Sequence, residues 1–220
     1  MDTLNEIAIK HNTDKSSLAH NYANIYDFYF NKIRDEELNI LEIGIQRGYS
    51  LKMWKEYFCK SKIVGLDIFD CTNLSEQNIK IYIGDQSDDS LLTSISDTET
   101  TDGFDIIIDD GSHKNIDMEN SFNSLFPKLK IGGYYIIEDL HTCYWGGIYD
   151  SPDCYDRKSD STFISKLKEL IDVINCSGKS GYADIRNDSE YDKLDLTWME
   201  RSIEFIHFYK SICIIKKTLK

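Results

Sequence analysis

The stretch Asn39-Ile-Leu-Glu-Ile-Gly-Ile-Gln-Arg-Gly-Tyr-Ser50 decides the fold, because it joins a short buried strand to a helix. Its first half is apolar and rich in β-branched residues, whereas from Ser50 to Phe58 apolar residues recur at helical spacing. The glycines between the two patterns permit a tight turn. The stretch therefore predicts a strand, a glycine turn and a helix in succession.

The same alternation continues along the chain. Further strands are predicted at Lys62–Asp67, Ile79–Gly84, Phe104–Asp109 and Gly133–Glu138, and further helices at Ser90–Ile95, Asn115–Leu125 and Phe163–Ile174. Repeated strand–helix alternation indicates a parallel sheet with helices on both faces, since each parallel crossover needs a helix. The last runs, Ser202–Tyr209 and Ile212–Lys216, are two residues apart and predict an antiparallel hairpin. The predicted class is α/β, a doubly wound, mostly parallel Rossmann-like sheet with a C-terminal antiparallel hairpin.

Composition narrows the function classes. The 220 residues include 25 Lys+Arg and 38 Asp+Glu, a formal net charge of −13, which would repel a phosphate backbone and disfavours nucleic acid as a partner. Apolar stretches are too short to span a bilayer and the N-terminus lacks a signal-peptide pattern, so we expect no membrane partner and a cytoplasmic location. The six cysteines show no zinc-type spacing and are expected to be free thiols.

Three segments stand outside the strand–helix repeat. Residues 1–34 are predicted to form a helical segment that acts as a lid or cap on a main domain at 35–220. Residues 143–161 and 176–198 are polar, aromatic-containing insertions. We expect the first insertion to be a lid, and mobile surface is the alternative.

Carboxylates and glycines follow the first three predicted strands, where an open α/β sheet binds its ligands. The Glu in Glu-x-Gly-x-x-x-Gly could take the amino group of an amino-acid-like ligand, and the acidic residue after the second strand suits ribose hydroxyls. For Asp67 and Asp85, which follow the second and third strands, the alternative is that each caps the next helix. The series resembles the S-adenosylmethionine (SAM) site of class I methyltransferases. The residues assigned to cofactor binding are Glu42, Gly44, Gly48, Asp67, Asp85 and Asp109.

A second acidic group follows the fourth and fifth strands. Asp110 and His113 end the fourth, while Glu138, Asp139 and His141 end the fifth. These strands are expected to be neighbours, so three carboxylates and an imidazole should converge, and their mutual repulsion calls for a hard divalent cation such as Mg²⁺. The alternatives are a helix N-cap for Asp110 and a solvated strand end for Glu138 and Asp139.

The chain resembles a known family, the metal-dependent sugar O-methyltransferases of macrolide biosynthesis. The likeness rests on Ile107-Ile-Asp-Asp-Gly-Ser-His113 and Ile137-Glu-Asp-Leu-His-Thr-Cys-Tyr-Trp145, and it covers roughly 39–216. The spacing of Thr13-Asp-Lys15, His20, Tyr22 and Tyr26 is similar to the N-terminal segment of bacterial relatives. The chain is shorter than the macrolide enzymes, and we expect it to lack their additional N-terminal domain.

The resemblance implies a SAM-dependent methyltransferase domain in which Asp110, Glu138 and Asp139 hold Mg²⁺ and His113 is the general base. The expected reaction moves a methyl group from SAM to a hydroxyl of a sugar or glycan precursor, because a bound metal lowers the pKa of a hydroxyl that a base then deprotonates. His141 is a second candidate base, or it orients a neighbouring ligand.

Two further aromatic residues and two further histidines receive other assignments. Tyr144 and Trp145 either stack on a sugar or adenine ring or belong to the core. His11 and His207 are assigned to structure.

Two other functions remain open at this stage. The metal site could equally chelate a catechol or another vicinal diol, and the chain could be a non-catalytic SAM-binding protein. The expected partner is a small-molecule or saccharide acceptor. The sequence leaves open whether the chain forms a homo-oligomer.

Overall fold

A computed structural model describes residues 2–149, 162–176, 179 and 194–219 of the chain. Seven strands lie in these ranges: β1 Asn39–Ile43, β2 Lys62–Asp67, β3 Ile79–Ile83, β4 Phe104–Asp109, β5 Leu129–Ile137, β6 Ile203–Tyr209 and β7 Ile212–Lys217. The α-helices in the same ranges are α1 Leu4–Lys10, α2 Tyr22–Phe30, α3 Tyr49–Tyr57, α4 Asp89–Glu99, α5 Asn115–Leu125, α6 Phe163–Ile174 and α7 Trp198–Ser202.

The strands form one sheet of order β3-β2-β1-β4-β5-β7-β6. Strands β1 to β5 pair in parallel, whereas β7 pairs antiparallel with both β5 and β6. This arrangement confirms the predicted fold class, including the C-terminal hairpin. The strand order reverses between β1 and β4, and in open α/β sheets a ligand crevice lies at that point, beyond the carboxyl ends of the strands.

Apolar side chains are buried on both faces of the sheet. Helices α1, α2 and α3 share a cluster on one face, while α4, α5 and α6 cover the other. Within the first cluster the rings of Tyr26 and Trp54 meet edge to face, with 5.2 Å between their centroids. Both helices of residues 1–34 therefore contribute to the core that covers the sheet.

Helices α5 and α6 have the boundaries predicted from the sequence, whereas α4 and β5 each extend several residues further at one end. Helix α4 continues to Glu99, whose buried carboxylate accepts hydrogen bonds from Lys62 Nζ at 2.6 Å and from the Tyr82 hydroxyl. Strand β5 begins at Leu129 rather than Gly133, with an irregular register against β4. In both cases contacts with neighbouring strands extend the element beyond its local pattern.

Both insertions predicted from the sequence lie largely outside the described residues. Insertion 143–161 is described only to residue 149, so the lid predicted there lies largely outside the described residues, as does most of insertion 176–198. Five of the six cysteines are described and are free thiols, whereas Cys154 lies outside. Within the described ranges, no helix has the length and apolar character needed to cross a membrane.

Candidate active site

A cleft of about 650 Å³ opens at the carboxyl ends of β1, β2 and β4. Its volume lies within the range that proteins use for small molecules and cofactors. The lining comes from the N-terminal segment and from the loops that follow β1, β2, β3, β4 and β5, at 12–15, 43–47, 49–50, 66–69, 84–86, 110–114, 117 and 139. Asp67, Asp85, Asp110, His113 and Asp139 line the cleft, as does Gly44.

The turn after β1 requires glycine at two positions. Gly44 has φ +82°, and a Cβ there would lie 2.0 Å from the Asp110 carbonyl oxygen. Gly48 has φ +72° and is the N-cap of α3. Other residues rarely adopt these angles, and the missing side chain at Gly44 lets the turn pass directly against the backbone of Asp110 and Gly111 beyond β4.

Asp67 holds the same turn from the end of β2. Its Oδ2 accepts hydrogen bonds from the backbone N–H groups of Ile45 at 3.0 Å and Gln46 at 2.8 Å, and its Oδ1 accepts one from Phe69 at 2.9 Å. Asp85 Oδ1 accepts from the N–H of Ser87 at 2.8 Å. Neither aspartate caps a helix.

Glu42 and Asp109 are buried beneath the cleft and do not line it. Glu42 accepts hydrogen bonds from Ser50 Oγ at 2.9 Å and Trp54 Nε1 at 3.2 Å, and Asp109 accepts one from Gln86 Nε2 at 3.1 Å. Burial raises the pKa of each carboxyl to about 7. The structure thus separates these two carboxylates from Asp67 and Asp85, and their role in cofactor binding stays a prediction.

Three side chains meet at the open end of the acidic group. The nearest Asp110 oxygen, Oδ1, and the nearest Asp139 oxygen, Oδ2, each lie 3.8 Å from His113 Nε2. The candidate ligand atoms of these residues lie within 4.8 Å of one another, which fits a single divalent cation. Asp110 does not cap α5, whose N-cap is Lys114, and Glu138 is only 2% exposed rather than a solvated strand end.

The backbone around this group is locally strained. His113, Asp139 and Ser211 have φ of 57°, 54° and 67°, in the left-handed region that residues other than glycine seldom adopt. Each such residue costs about 1–2 kcal/mol and persists where the surrounding structure holds it. These three positions lie together at the ends of β4 and β5 and at the β6–β7 turn.

A buried lysine, for which the sequence predicted no role, lies at the centre of the acidic group. Lys15 Nζ is 2.6 Å from Asp110 Oδ2, 2.9 Å from Glu138 Oε2 and 3.7 Å from Glu42 Oε1. Although burial acts to lower the pKa of Lys15, the three carboxylates outweigh it and hold that pKa well above its ordinary value. The only sequence signal was the place of Lys15 in the Thr13-Asp-Lys15 stretch.

Two tyrosines of α2 reach the same carboxylates. The Tyr22 hydroxyl donates to Asp139 Oδ1 at 2.7 Å, and the Tyr26 hydroxyl donates to Glu138 Oε1. Glu138 therefore has both oxygens bonded within the protein, by Lys15 and Tyr26. Asp110 and Asp139 each have one oxygen bonded and one directed toward His113.

His141 lies at the edge of the site. Its Nδ1 is 2.6 Å from Ser211 Oγ, its ring meets Trp145 with centroids 4.6 Å apart, and burial lowers its pKa. Trp145 is half exposed, whereas Tyr144 packs against the core.

The remaining three histidines, His11, His20 and His207, do not line the cleft. His11 pairs with Glu56, and His207 Nδ1 contacts the Tyr29 hydroxyl.

The sheet order, the glycine turn after β1 and the acidic residue after β2 define a Rossmann-like methyltransferase fold. No family model matches the chain. The chain is 37% identical to demethylmacrocin O-methyltransferase of Streptomyces fradiae over 97% of its own length and 53% of that protein. It is 34% identical to mycinamicin VI 2''-O-methyltransferase of Micromonospora griseorubida, over 97% of this chain and 52% of that one.

The chain is also similar to solved structures of this kind of enzyme. The methyltransferase MycE of the mycinamycin pathway, in complex with Mg and SAH (S-adenosylhomocysteine), matches 99% of this chain and 54% of its own with a TM-score of 0.85 and 32% identity. The chain belongs to the family of sugar O-methyltransferases of macrolide biosynthesis. It spans about half the length of the curated relatives that it matches.

Proposed function

We propose that the chain catalyses Mg²⁺-dependent transfer of a methyl group from SAM to a hydroxyl of a saccharide. The observation that carries the proposal is the meeting of Asp110, His113 and Asp139 at the open end of a cleft whose other wall is the Gly44 turn. Its relatives are named for sugar O-methylation, and MycE has been crystallised with Mg, SAH and mycinamycin VI.

The donor half of the cleft is assigned to SAM. The Gly44–Gly48 turn lets the backbone approach the ligand, and Asp67 both holds that turn and lines the cleft where ribose hydroxyls would lie. Asp85 lines the same wall at the end of β3. Glu42 and Asp109 support these strand ends from below.

The metal half is assigned to Asp110 and Asp139. Glu138, the third predicted ligand, is buried at the end of β5 with its two oxygens bonded by Lys15 and Tyr26. Oxygen ligands of this kind suit Mg²⁺. When bound, the cation would lower the pKa of an acceptor hydroxyl that it contacts. Lys15 already offsets part of the negative charge of Asp110 and Glu138, so a divalent cation here would be attracted by the negative charge that remains.

His113 is assigned as the general base. Its Nε2 lies 3.8 Å from Asp110 Oδ1 and from Asp139 Oδ2, so the ring stands beside the proposed metal ligands, where it can accept the proton of a hydroxyl that the cation contacts. His141, whose Nδ1 is held by Ser211, is assigned a neighbouring orienting role. The half-exposed Trp145 offers a ring face to a sugar at the same edge.

The proposal is tested by incubating the purified chain with SAM and a panel of glycosylated macrolides, free deoxysugars, nucleotide sugars and catechols. We expect the mass gain of one methyl substitution on a saccharide, lost in EDTA and restored by Mg²⁺. Methylation of catechols alone would contradict the acceptor class. SAH binding with no transfer to any acceptor would support the non-catalytic alternative.

The cytoplasmic location and the absence of nucleic-acid and membrane partners are part of the same proposal. So is the division into an N-terminal segment at 1–34 and a methyltransferase domain at 35–220. The net charge of −13 supports the absence of a nucleic-acid partner. The contacts of Lys15, Tyr22 and Tyr26 with the carboxylates support a role of residues 1–34 within the site.

A further inference from the structure

The N-terminal segment bonds the metal-side carboxylates in a selective pattern. Lys15 Nζ binds Oδ2 of Asp110, and the Tyr22 hydroxyl binds Oδ1 of Asp139. In each aspartate the other oxygen points toward the same space beside His113 Nε2, at 3.8 Å. Among the described residues, neither of these two oxygens accepts a hydrogen bond.

A carboxylate can bind a metal ion through one or both oxygens. The pattern seen in Asp110 and Asp139 leaves a single oxygen of each to act as the ligand. A hydrogen bond to one oxygen of a carboxylate restricts the direction in which the other oxygen points. Residues that hydrogen-bond a metal ligand commonly provide this restraint. Asp139 especially needs this restraint, because its backbone is in the left-handed region with φ 54° and lies two residues beyond Ile137, the last paired residue of β5.

Tyr22 is itself held rigidly. It is only 1% exposed, its ring stacks on His20 with centroids 5.2 Å apart, and its hydroxyl is also 3.5 Å from the Ser211 carbonyl oxygen. The backbone of the preceding turn is fixed by the N–H of Ala23, which donates to the Lys15 carbonyl at 2.8 Å. The hydroxyl therefore reaches Asp139 from a fixed position.

We propose that Tyr22 is a positioning residue of the divalent-cation site, which fixes Oδ1 of Asp139 and thereby presents Oδ2 to the ion. The inference rests on the proposed function, since it assumes that the acidic group binds Mg²⁺. It makes a residue of the N-terminal segment, 117 positions from its partner, a determinant of metal affinity.

The chain provides a matched control. Tyr57 is also 1% exposed, and its hydroxyl also donates to an aspartate, Asp27 Oδ1, at 2.7 Å. That pair joins α2 to α3 away from the cleft. Tyr57→Phe therefore removes the same kind of bond without touching the acidic group.

The test is isothermal titration of the full chain, with SAH present, by Mg²⁺ and in parallel by Mn²⁺. We expect Tyr22→Phe to raise the dissociation constant of the cation about 10-fold or more, as loss of a partner behind a metal ligand commonly does. Tyr57→Phe should leave it unchanged. The cation-induced rise of the melting temperature should shrink in Tyr22→Phe alone.

The outcomes separate the two proposals. Wild-type affinity in Tyr22→Phe, or an equal loss in both variants, would overturn the positioning role while leaving the metal site in place. No cation binding by the wild-type chain would overturn both the positioning role and the metal part of the proposed function.

Discussion

The two sides of the cleft are held together in different ways. On the donor side, Asp67 is bonded by backbone N–H groups of the adjacent turn, 21 and 22 positions away, and of its own loop. On the metal side, Asp110, Glu138 and Asp139 are bonded by side chains of the N-terminal segment, 95 to 123 positions away. The donor side is therefore held in place by the sheet and its loops, whereas the geometry of the metal side depends on the packing of residues 1–34 against it.

The sharpest test of the metal side is His113→Ala. We expect kcat to fall about 10²–10⁴-fold, the usual contribution of a positioned base, with the affinities for Mg²⁺ and SAH unchanged. Turnover assays combined with calorimetry check this. A large loss of Mg²⁺ affinity would instead make His113 a metal ligand and contradict its assignment as base.

Lys15→Met tests whether the N-terminal segment holds the metal side by charge. Removing one partner of a buried ion pair leaves the others uncompensated, so the free energy of unfolding should fall by about 3–5 kcal/mol in urea denaturation. Lys10→Met is the control, because Lys10 pairs with Glu56 at the surface and is 59% exposed. Its loss should cost less than about 1 kcal/mol, and equal losses in both variants would argue against the assignment.

Glu42 lies beneath both sides and should give stability a pH dependence. Its pKa is raised by burial from 4.5 to about 7, so between these values the folded chain keeps a proton that the unfolded chain has released. The free energy of unfolding should therefore decrease as pH rises through this window, by up to about 1.4 kcal/mol per unit from this group. Glu42→Gln should flatten that decline in urea titrations at several pH values. An unchanged slope would show that Glu42 is ionised throughout.

Asp67→Ala should affect the donor side alone. We expect SAH to bind more weakly by about 1.5–3 kcal/mol, because a ligand hydroxyl loses a charged partner and the turn loses its anchor, while Mg²⁺ affinity is retained. Asp70→Ala is the control: Asp70 Oδ1 accepts from the Thr72 N–H at 3.0 Å in the same loop, but it does not line the cleft. Unchanged SAH affinity in Asp67→Ala would contradict the donor assignment.

The smallest expected effect is that of His141→Ala. Since His141 is held by Ser211 at the edge of the site and is assigned an orienting role, kcat should fall only about 10-fold. Steady-state assays of both variants show whether His141→Ala loses less kcat than His113→Ala. An inactive His141→Ala with near-normal His113→Ala would exchange the two roles.

The fold was largely predictable because its signals are local. The glycine turn after β1, the apolar strands and helices α5 and α6 each show their pattern within about a dozen residues. The start of β5 at Leu129 was missed because Gly132 and Gly133 interrupt the strand pattern, and pairing with β4 extends the strand across them.

Only those site residues that follow a strand end could be predicted from the sequence. Asp110, His113 and Asp139 follow β4 and β5 directly, so their convergence was predicted from the neighbouring positions of those strands. Beyond its place in the Thr13-Asp-Lys15 stretch, Lys15 could not be recognised as a site residue, since the carboxylates that pair with its ammonium come from distant strands. Glu42 illustrates the converse, because its place at a strand end did not reveal that Ser50 and Trp54 would enclose its carboxylate.

The left-handed backbone at Ser211 implies a trade-off between stability and activity. This residue forms the β6–β7 turn, holds His141 through Oγ, and accepts a hydrogen bond from the Leu140 N–H at 2.9 Å through its carbonyl. Ser211→Gly would relieve about 1 kcal/mol of backbone strain and so stabilise the turn, yet it would also release the His141 ring. Selection for thermostability alone would thus favour a glycine at this turn, whereas selection for turnover would favour the strained serine.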